Sequence, residues 1–252
     1  MSGVPLGYSG RVAPRFAITR FRFSESALVT AFLVLALAFS QGVSAESGRG
    51  LSGHVSLHHN YQFQGTTYDL SGVSPQLGLR YGLGDWSVGA WAGEIRYPGH
   101  DDESIEYDFF VGYQRPVGLD QGVSVSIWRY HYADASVSEY NYTQLPASWQ
   151  FRGEFTMTAG MSHNQYRRNS LTRVVEVAWH QPWHQVLWTT TIGHHGFAIE
   201  RWEDLNYIRT EAAFESGVWR GSLGYTHQIS LSHPRSALFA QDGWSASLGY
   251  RF

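Results

Sequence analysis

The chain has no cysteine among its 252 residues, which excludes a disulfide framework, a thiolate zinc site and a catalytic cysteine. It also has no lysine, because all 18 of its basic residues are arginines. Charged residues make up only 15% of the chain, against about 25% in a typical soluble domain. With a net charge of −3, the chain lacks the basic excess of nucleic-acid-binding proteins, so we expect no nucleic-acid partner.

Long apolar runs are scarce as well. The clearest is 27–39, which is shorter than the ~20 apolar residues that a transmembrane helix needs. Several arginines precede it, and Val43-Ser44-Ala45 follows it at a short distance. A basic region, a short apolar core and a small-x-small site are typical of a secretory signal peptide. We predict that residues 1–45 are a cleaved signal peptide and that residues 46–252 form the mature domain.

Aromatic residues (15%) and glycine (27 residues) are abundant, and they occur in segments where apolar and polar residues alternate. The end of the chain shows this best: one strand face would carry Trp244, Ala246, Leu248, Tyr250 and Phe252. The opposite face would be polar or small. Aromatic rings on the outer face are typical of membrane barrels. Tyr250 and Phe252 also resemble the terminal insertion signal of bacterial outer-membrane proteins, so we expect the barrel-assembly machinery to recognise them.

Alternation of this kind predicts an all-β fold, a transmembrane antiparallel up-and-down β-barrel of about 12 strands, with 10 or 14 as alternatives. Of the predicted strands, 137–146 and 207–216 are the least clear. The segments are 51–63, 75–83, 86–96, 105–115, 122–132, 137–146, 153–164, 171–181, 185–195, 207–216, 218–230 and 243–252.

The predicted connections alternate between long polar loops and short turns. The first long loop is 64–74, and the clearest tight turn is Gly84-Asp85. The connection 147–152 is longer than expected for a short turn. Outer-membrane barrels place long loops outside the cell and short turns in the periplasm. An even number of strands also brings both chain ends to the periplasmic side.

Several short segments resemble one known family. They are Asn60-Tyr61-Gln62-Phe63-Gln64-Gly65, which is similar to that family's Asn-Tyr-x-Phe-Arg-Gly, and then Ser74-Pro75-Gln76-Leu77, Trp86-Ser87-Val88-Gly89, Ile105-Glu106-Tyr107-Asp108 and Asn141-Tyr142-Thr143. The family is that of the TorF-type porins, conserved proteobacterial outer-membrane proteins of unknown function. The resemblance covers 51–145 best and implies an outer-membrane barrel with a pore. Gln64 stands where the family has arginine.

Strand parity identifies polar residues that should face the lumen, where charged side chains select ions or small polar solutes. The alternative is a salt-bridge and hydrogen-bond network that plugs the barrel. Glycines on the same faces, such as Gly78, Gly112 and Gly160, are compatible with an open lumen. The candidates are His54, His58, Asn60, Arg80, Glu106, Asp108, Glu176, His180 and Arg220.

The twelve histidines do not predict a metal site, because the adjacent pairs His58-His59 and His194-His195 point to opposite faces of a strand. His180 and His184 flank Pro182, in a predicted periplasmic turn. We assign no metal ligands and no cofactor.

Enzyme alternatives rest on weak patterns. Asp101-Asp102-Glu103 in an outer loop provides paired carboxylates, and Ser162, His163 and Asn164 are consecutive, but adjacency on a strand separates their faces. We assign no catalytic residues and expect no enzyme.

The sequence therefore predicts a bacterial outer-membrane barrel that acts as a passive channel for ions or small polar solutes. The alternatives are a closed barrel with a structural or surface-interaction role and, third, a barrel hydrolase. The expected partners are outer-membrane lipid, lipopolysaccharide, which Arg167-Arg168 could contact, and the transported ions or small solutes.

Overall fold

The computed structural model describes residues 49–68, 72–96, 103–133, 140–163, 165, 171–197, 204–229 and 241–252. The predicted signal peptide, residues 1–45, lies outside this part of the chain. Within the described residues, no helix has the length and apolar character to cross a membrane.

Twelve antiparallel strands form a closed barrel, which confirms the predicted fold and strand number. Each barrel strand pairs with the barrel strands that precede and follow it in the chain, and the first pairs with the last. The elements are β1 (Arg49–His59), β2 (Gln62–Phe63), β3 (Thr66–Thr67), β4 (Val73–Leu83), β5 (Trp86–Arg96), β6 (Glu103–Pro116), β7 (Gln121–Tyr132), β8 (Tyr142–Phe151), β9 (Phe155–His163), β10 (Leu171–Trp183), β11 (Val186–Phe197), β12 (Leu205–Ser216), β13 (Trp219–Gln228) and β14 (Gly243–Arg251). The short strands β2 and β3 form a separate two-stranded sheet.

Strand β14, which carries the predicted insertion signal, closes the barrel against β1. The backbone groups of Gly53 and Phe252 exchange two hydrogen bonds, at 2.9 and 3.0 Å. Gly53 leaves room for the Phe252 ring, because a Cβ atom at Gly53 would lie 2.6 Å from that ring. On the outer surface, the Tyr250 ring meets Trp219 edge-on at 5.4 Å. Closure therefore pairs the backbone groups that an open edge would leave unsatisfied in lipid.

The two ends of the barrel differ. Short turns at 84–85, 117–120, 152–154, 184–185 and 217–218 surround one end, which we call the turn rim. The strand ends Arg49 and Arg251 lie there too. The other ends of the described barrel strands lie at the opposite end of the barrel, the loop rim.

Apolar side chains cover the outside of the barrel. Ile192 is 57% exposed, and Leu223, Leu248 and Val111 are about half exposed at other places on the same outer surface. Aromatic rings lie close to the turn rim, where Trp86 packs against Tyr113 at 5.0 Å. An apolar band bordered by aromatic rings is the surface that a lipid bilayer requires.

One predicted strand was displaced along the chain. The segment 147–151, predicted as part of a connection, belongs to β8, and the turn follows at 152–154. Pro146 lies inside β8 and has no N–H, and the β7–β8 pairing is interrupted beside it, between Val125–Ala147 and Trp128–Gln144. Pro146, the predicted end of this strand, therefore lies inside a continuous strand and interrupts its hydrogen bonding on one side only.

The prediction of an outer polar loop over 64–74 was wrong for its first part. Strand β1 ends at His59, and residues 61–68, the inner hairpin, turn back inside the barrel. Thr66 and Thr67 are almost completely buried there. Positive φ angles at Gln64 (50°) and Gly65 (75°) make the two-residue turn at its tip.

Candidate functional site

The inner hairpin is fixed to opposite walls of the lumen. The amides of Gln64 and Gln144 in β8 donate to each other at 3.1 and 3.3 Å. On the far side, Gln228 in β13 donates to the carbonyl of Gly65 at 2.9 Å. Strands β8 and β13 are five places apart in the ring of twelve. The hairpin therefore spans the lumen and divides it.

The described residues line three cavities of the lumen, two of which border the inner hairpin. The acidic cavity, of about 310 Å³, lies between the hairpin and the β5–β10 wall; Tyr61, Phe63, Gln64, Tyr68, Trp91, Glu106, Asp108, Trp128, Tyr130, Gln144, Pro146, Thr158 and Glu176 line it. The central cavity, of about 170 Å³, is lined by Gln62, Gln64, Gly65, Glu176, Thr189, Thr191, Tyr207, Arg209, Glu211 and Thr226. The basic cavity, of about 270 Å³, is lined by His54, Ser56, His58, Glu211, Arg220, Ser222, Ser247, Gly249, Tyr250 and Arg251.

The cavities adjoin one another. Gln64 and Glu176 line both the acidic and the central cavity, and Glu211 lines both the central and the basic cavity. The lumen therefore holds a series of adjoining spaces beside a packed cluster that includes Tyr68, Tyr130 and Tyr142.

Buried carboxyl groups characterise the acidic cavity. Glu106 and Asp108 are 5% and 6% exposed. They alternate along β6, and both side chains line the cavity. Burial, followed by the charges of Glu106 and Asp108, raises the pKa of Tyr61 in the inner hairpin well above its ordinary value. Tyr61 therefore remains a neutral phenol beside these carboxyl groups.

Positive charge gathers on the opposite side of the lumen. Strand β12, which carries Arg209 and Glu211, is six places from β6 in the ring of twelve. Arg209 pairs with Glu211 at 2.5 Å. Towards the turn rim, Arg251 binds Glu215 through two hydrogen bonds, at 2.5 and 3.2 Å. The lumen thus has an acidic wall facing a mixed wall rich in arginine.

The structure groups six of the nine predicted lumen residues into two sets. One set lines the basic cavity: His54, His58 and Arg220. The other lines the acidic cavity: Glu106, Asp108 and Glu176, of which Glu176 accepts a hydrogen bond from the Tyr207 hydroxyl. Arg80 shares the lumen face of β4 with Gln76 and Gly78, and it is exposed.

One of the predicted positions differs from the expectation. Asn60 lies beyond the end of β1 with a φ of 56°, and its side chain donates to the Trp244 carbonyl at 2.7 Å. It fastens the start of the inner hairpin to β14. His180 lies within β10, inside the predicted strand 171–181, between the hydroxyls of Thr156 and Thr189, at 3.0 and 3.1 Å.

The lumen glycines do not leave open space. The His54 ring occupies the position that a Gly78 side chain would take, and a Cβ atom at Gly160 would lie 2.9 Å from Val174. Gly112 is different, since its nearest neighbour would be at 3.4 Å. The glycines mostly make room for neighbouring side chains.

Aromatic residues on the lumen face are a feature that the sequence analysis missed. Trp128 and Tyr130 alternate inward on β7, and Phe110 on β6 stacks on Trp128 at 4.4 Å. Tyr130 stacks on Tyr142 at 4.3 Å. Parity was available as a signal, because Phe110 has the same parity as Glu106, but aromatic residues had been assigned to lipid.

Two His–Asp pairs form at the loop rim among the described residues, His194 with Asp204 at 3.7 Å and His227 with Asp242. His227 lies 2.7 Å from Asp242, whose other oxygen accepts the backbone N–H of Gln228. Burial raises the pKa of Asp242, but these two hydrogen bonds outweigh it and hold the value below the ordinary one. The pair of His227 and Asp242 links the end of β13 to the residue that precedes β14. Asp101, Asp102, Asn164 and Arg167-Arg168 lie outside the described residues.

Gly193 gives a test of how the lumen is packed. The Tyr207 ring lies directly over it, so that a Cβ atom there would collide with the ring. Tyr207 also supports Gly65 at the tip of the inner hairpin and bonds to Glu176. We expect Gly193→Ala to lower the free energy of unfolding by about 1–3 kcal/mol, measured by urea titration in lipid vesicles. Gly112→Ala, on the lumen face of β6, is the control that should change little; equal losses would contradict the packing.

No protein-family model and no curated protein matches the chain. Solved structures do match. The KdgM porin in complex with disordered oligogalacturonate aligns with a TM-score of 0.52 at 6% identity, over 80% of this chain and 99% of that one. The KdgM porin alone has a TM-score of 0.49 at 5% identity, over 80% and 98%. The translocator domain of the autotransporter NalP from Neisseria meningitidis has 0.45 at 13% identity, over 90% and 97%. We rely only on the first of these, for the fold alone: this chain has a barrel similar to that of an outer-membrane porin.

Proposed function

We propose that this barrel is a passive channel of the bacterial outer membrane for ions or small polar solutes. The observation that carries the proposal is the series of three adjoining cavities, which share Gln64, Glu176 and Glu211 as lining residues. Charged and hydrogen-bonding side chains along such a path can replace part of a solute's hydration shell. The likeness to a porin barrel agrees with this proposal, as analogy of fold.

The orientation follows from the barrel's two ends. We place the loop rim outside the cell and the turn rim in the periplasm, since outer-membrane barrels are built that way. Export through a signal peptide over 1–45, recognition of Tyr250 and Phe252 by the assembly machinery, and contacts with lipid and lipopolysaccharide belong to the same proposal. Membership of the TorF-type porins stays a prediction.

Planar-bilayer recording of the purified, folded protein tests the channel. We expect small, discrete conductance steps, because the inner hairpin leaves narrow spaces on either side. Protein denatured by heat before addition serves as the control and should give no steps. Absence of conductance from the folded protein at every salt concentration and voltage would contradict the proposal.

A closed barrel with a structural or surface role is the second candidate. The observation that favours it is the fixing of the inner hairpin to both β8 and β13, which partitions the lumen. It predicts no conductance from the intact protein. Conductance that appears only after removal of the hairpin would support it.

A further inference from the structure

We propose that the acidic cavity binds a small organic cation, an amine or quaternary ammonium ion. As a statement about transport, this rests on the proposed channel function and names its solute class. As a statement about binding, it concerns the cavity alone and can be tested without any conductance.

The carboxyl groups give the first reason. Glu106, Asp108 and Glu176 all line the cavity, and its described lining includes no arginine or histidine. Asp108 is only 6% exposed, and its Oδ1 atom has no hydrogen-bond partner among the described residues. A buried polar atom without a partner is destabilising, so a ligand that donates a hydrogen bond or brings positive charge would satisfy it.

The aromatic rings give the second reason. Trp91 on β5 and Tyr130 on β7 are the register partners of Asp108, so an aromatic side chain stands on each side of this carboxyl group. Tyr61 of the inner hairpin stacks on Trp91 at 5.9 Å and forms the facing wall. Trp128 lines the cavity as well. A cation placed over such rings is attracted by their electron-rich faces, and more strongly where water is excluded.

Other ligand classes fit less well. Within the described residues, no group of three or more His, Asp or Glu side chains could hold a metal ion, and aromatic rings would stand where a metal needs oxygen ligands. Anions would meet three carboxyl groups. A volume of about 310 Å³ is at the lower end of small-molecule sites, which suits a compact ammonium ion.

Binding can be measured by calorimetric titration of the folded protein in detergent with choline chloride. The matched probe is 3,3-dimethyl-1-butanol, which has nearly the same shape and no charge. We expect choline to bind at least about tenfold more tightly than the neutral probe, because attraction to the rings and carboxyl groups requires the charge. Choline is then titrated in the presence of calcium chloride or of glucose, and we expect neither to reduce choline binding.

Two variants locate the site. Asp108→Asn keeps the shape of the side chain and replaces the carboxyl group with an amide that cannot ionise, and it should weaken choline binding about tenfold or more. Asp85→Asn, in an exposed turn at the turn rim, makes the same chemical change away from the cavity and should bind choline like the wild type. Heat-modifiable migration on a gel verifies that each variant is folded. If Asp108→Asn does not fold, Trp91→Leu takes its place with the same expected direction.

The outcomes separate the two proposals. Absence of choline binding, equal binding of the neutral probe, displacement of choline by calcium or glucose, or full binding by a folded Asp108→Asn variant would each overturn the cation site. Choline binding without conductance would leave the site standing and contradict the channel. Conductance without choline binding would support the channel and contradict the cation site.

Discussion

Deletion of the inner hairpin should increase the single-channel conductance several-fold. The hairpin separates the acidic and central cavities, of about 310 and 170 Å³, and it fills the space between β8 and β13. Without residues 61–68 these spaces join into one wider lumen. The strands remain connected, because His59 and Val73 are register partners and Asn60 with residues 69–72 can bridge them.

Planar-bilayer recording of this deletion variant beside the wild type provides the measurement. Leu119→Ser, in a fully exposed position of a turn at the turn rim, is the control and should conduct like the wild type. Unchanged conductance in a folded deletion variant would mean that the hairpin does not restrict the path. Loss of the folded, heat-modifiable form would instead show that the hairpin holds the barrel together.

Placing a charge on the outer face should have the largest effect on stability. Ile192 lies at the middle of β11 and is 57% exposed on the outer surface. Arginine at that depth would lie in the hydrocarbon region of the bilayer. We expect Ile192→Arg to lower the free energy of unfolding by about 2–4 kcal/mol.

The neighbouring residue provides the matched control. Thr191 faces the lumen and lines the central cavity with Glu176 and Glu211, where an arginine would meet water and acidic groups. Thr191→Arg should therefore leave the unfolding free energy close to that of the wild type while reducing conductance. Both variants are compared by urea titration in lipid vesicles. Equal losses would mean that the two faces of β11 are not lipid and lumen.

Much of the barrel was predictable because alternation along a strand is a local property. The segment from Trp244 to Phe252 shows both faces in nine residues, and β14 has the predicted place and orientation. Lumen parity was equally local, which is why His54, Glu106 and Arg220 were assigned to the lumen without knowledge of their neighbours. The strand number followed from counting such segments.

The inner hairpin was not predictable by the same means. Residues 61–68 look like a polar loop, and what holds them inside the barrel is contact with Gln144, Tyr207 and Gln228, which are remote in sequence. The inward-facing aromatic residues were missed for a different reason. Parity puts Trp128 and Tyr130 on the same strand face as Ser126, but aromatic residues were expected to face lipid.

The contacts of the inner hairpin also impose an order on assembly. Gln62 accepts a hydrogen bond from Thr226, 164 residues away, and Asn60 bonds to Trp244 across 184 residues. These partners belong to the last two strands, so the hairpin, although it is among the first segments of the barrel to be synthesised, can complete its bonding only after the chain ends have met. Bringing such remote segments together is the slow, entropically costly part of folding. The hairpin can therefore make all of its contacts only in a closed barrel. In a barrel that fails to join β1 to β14, it remains exposed.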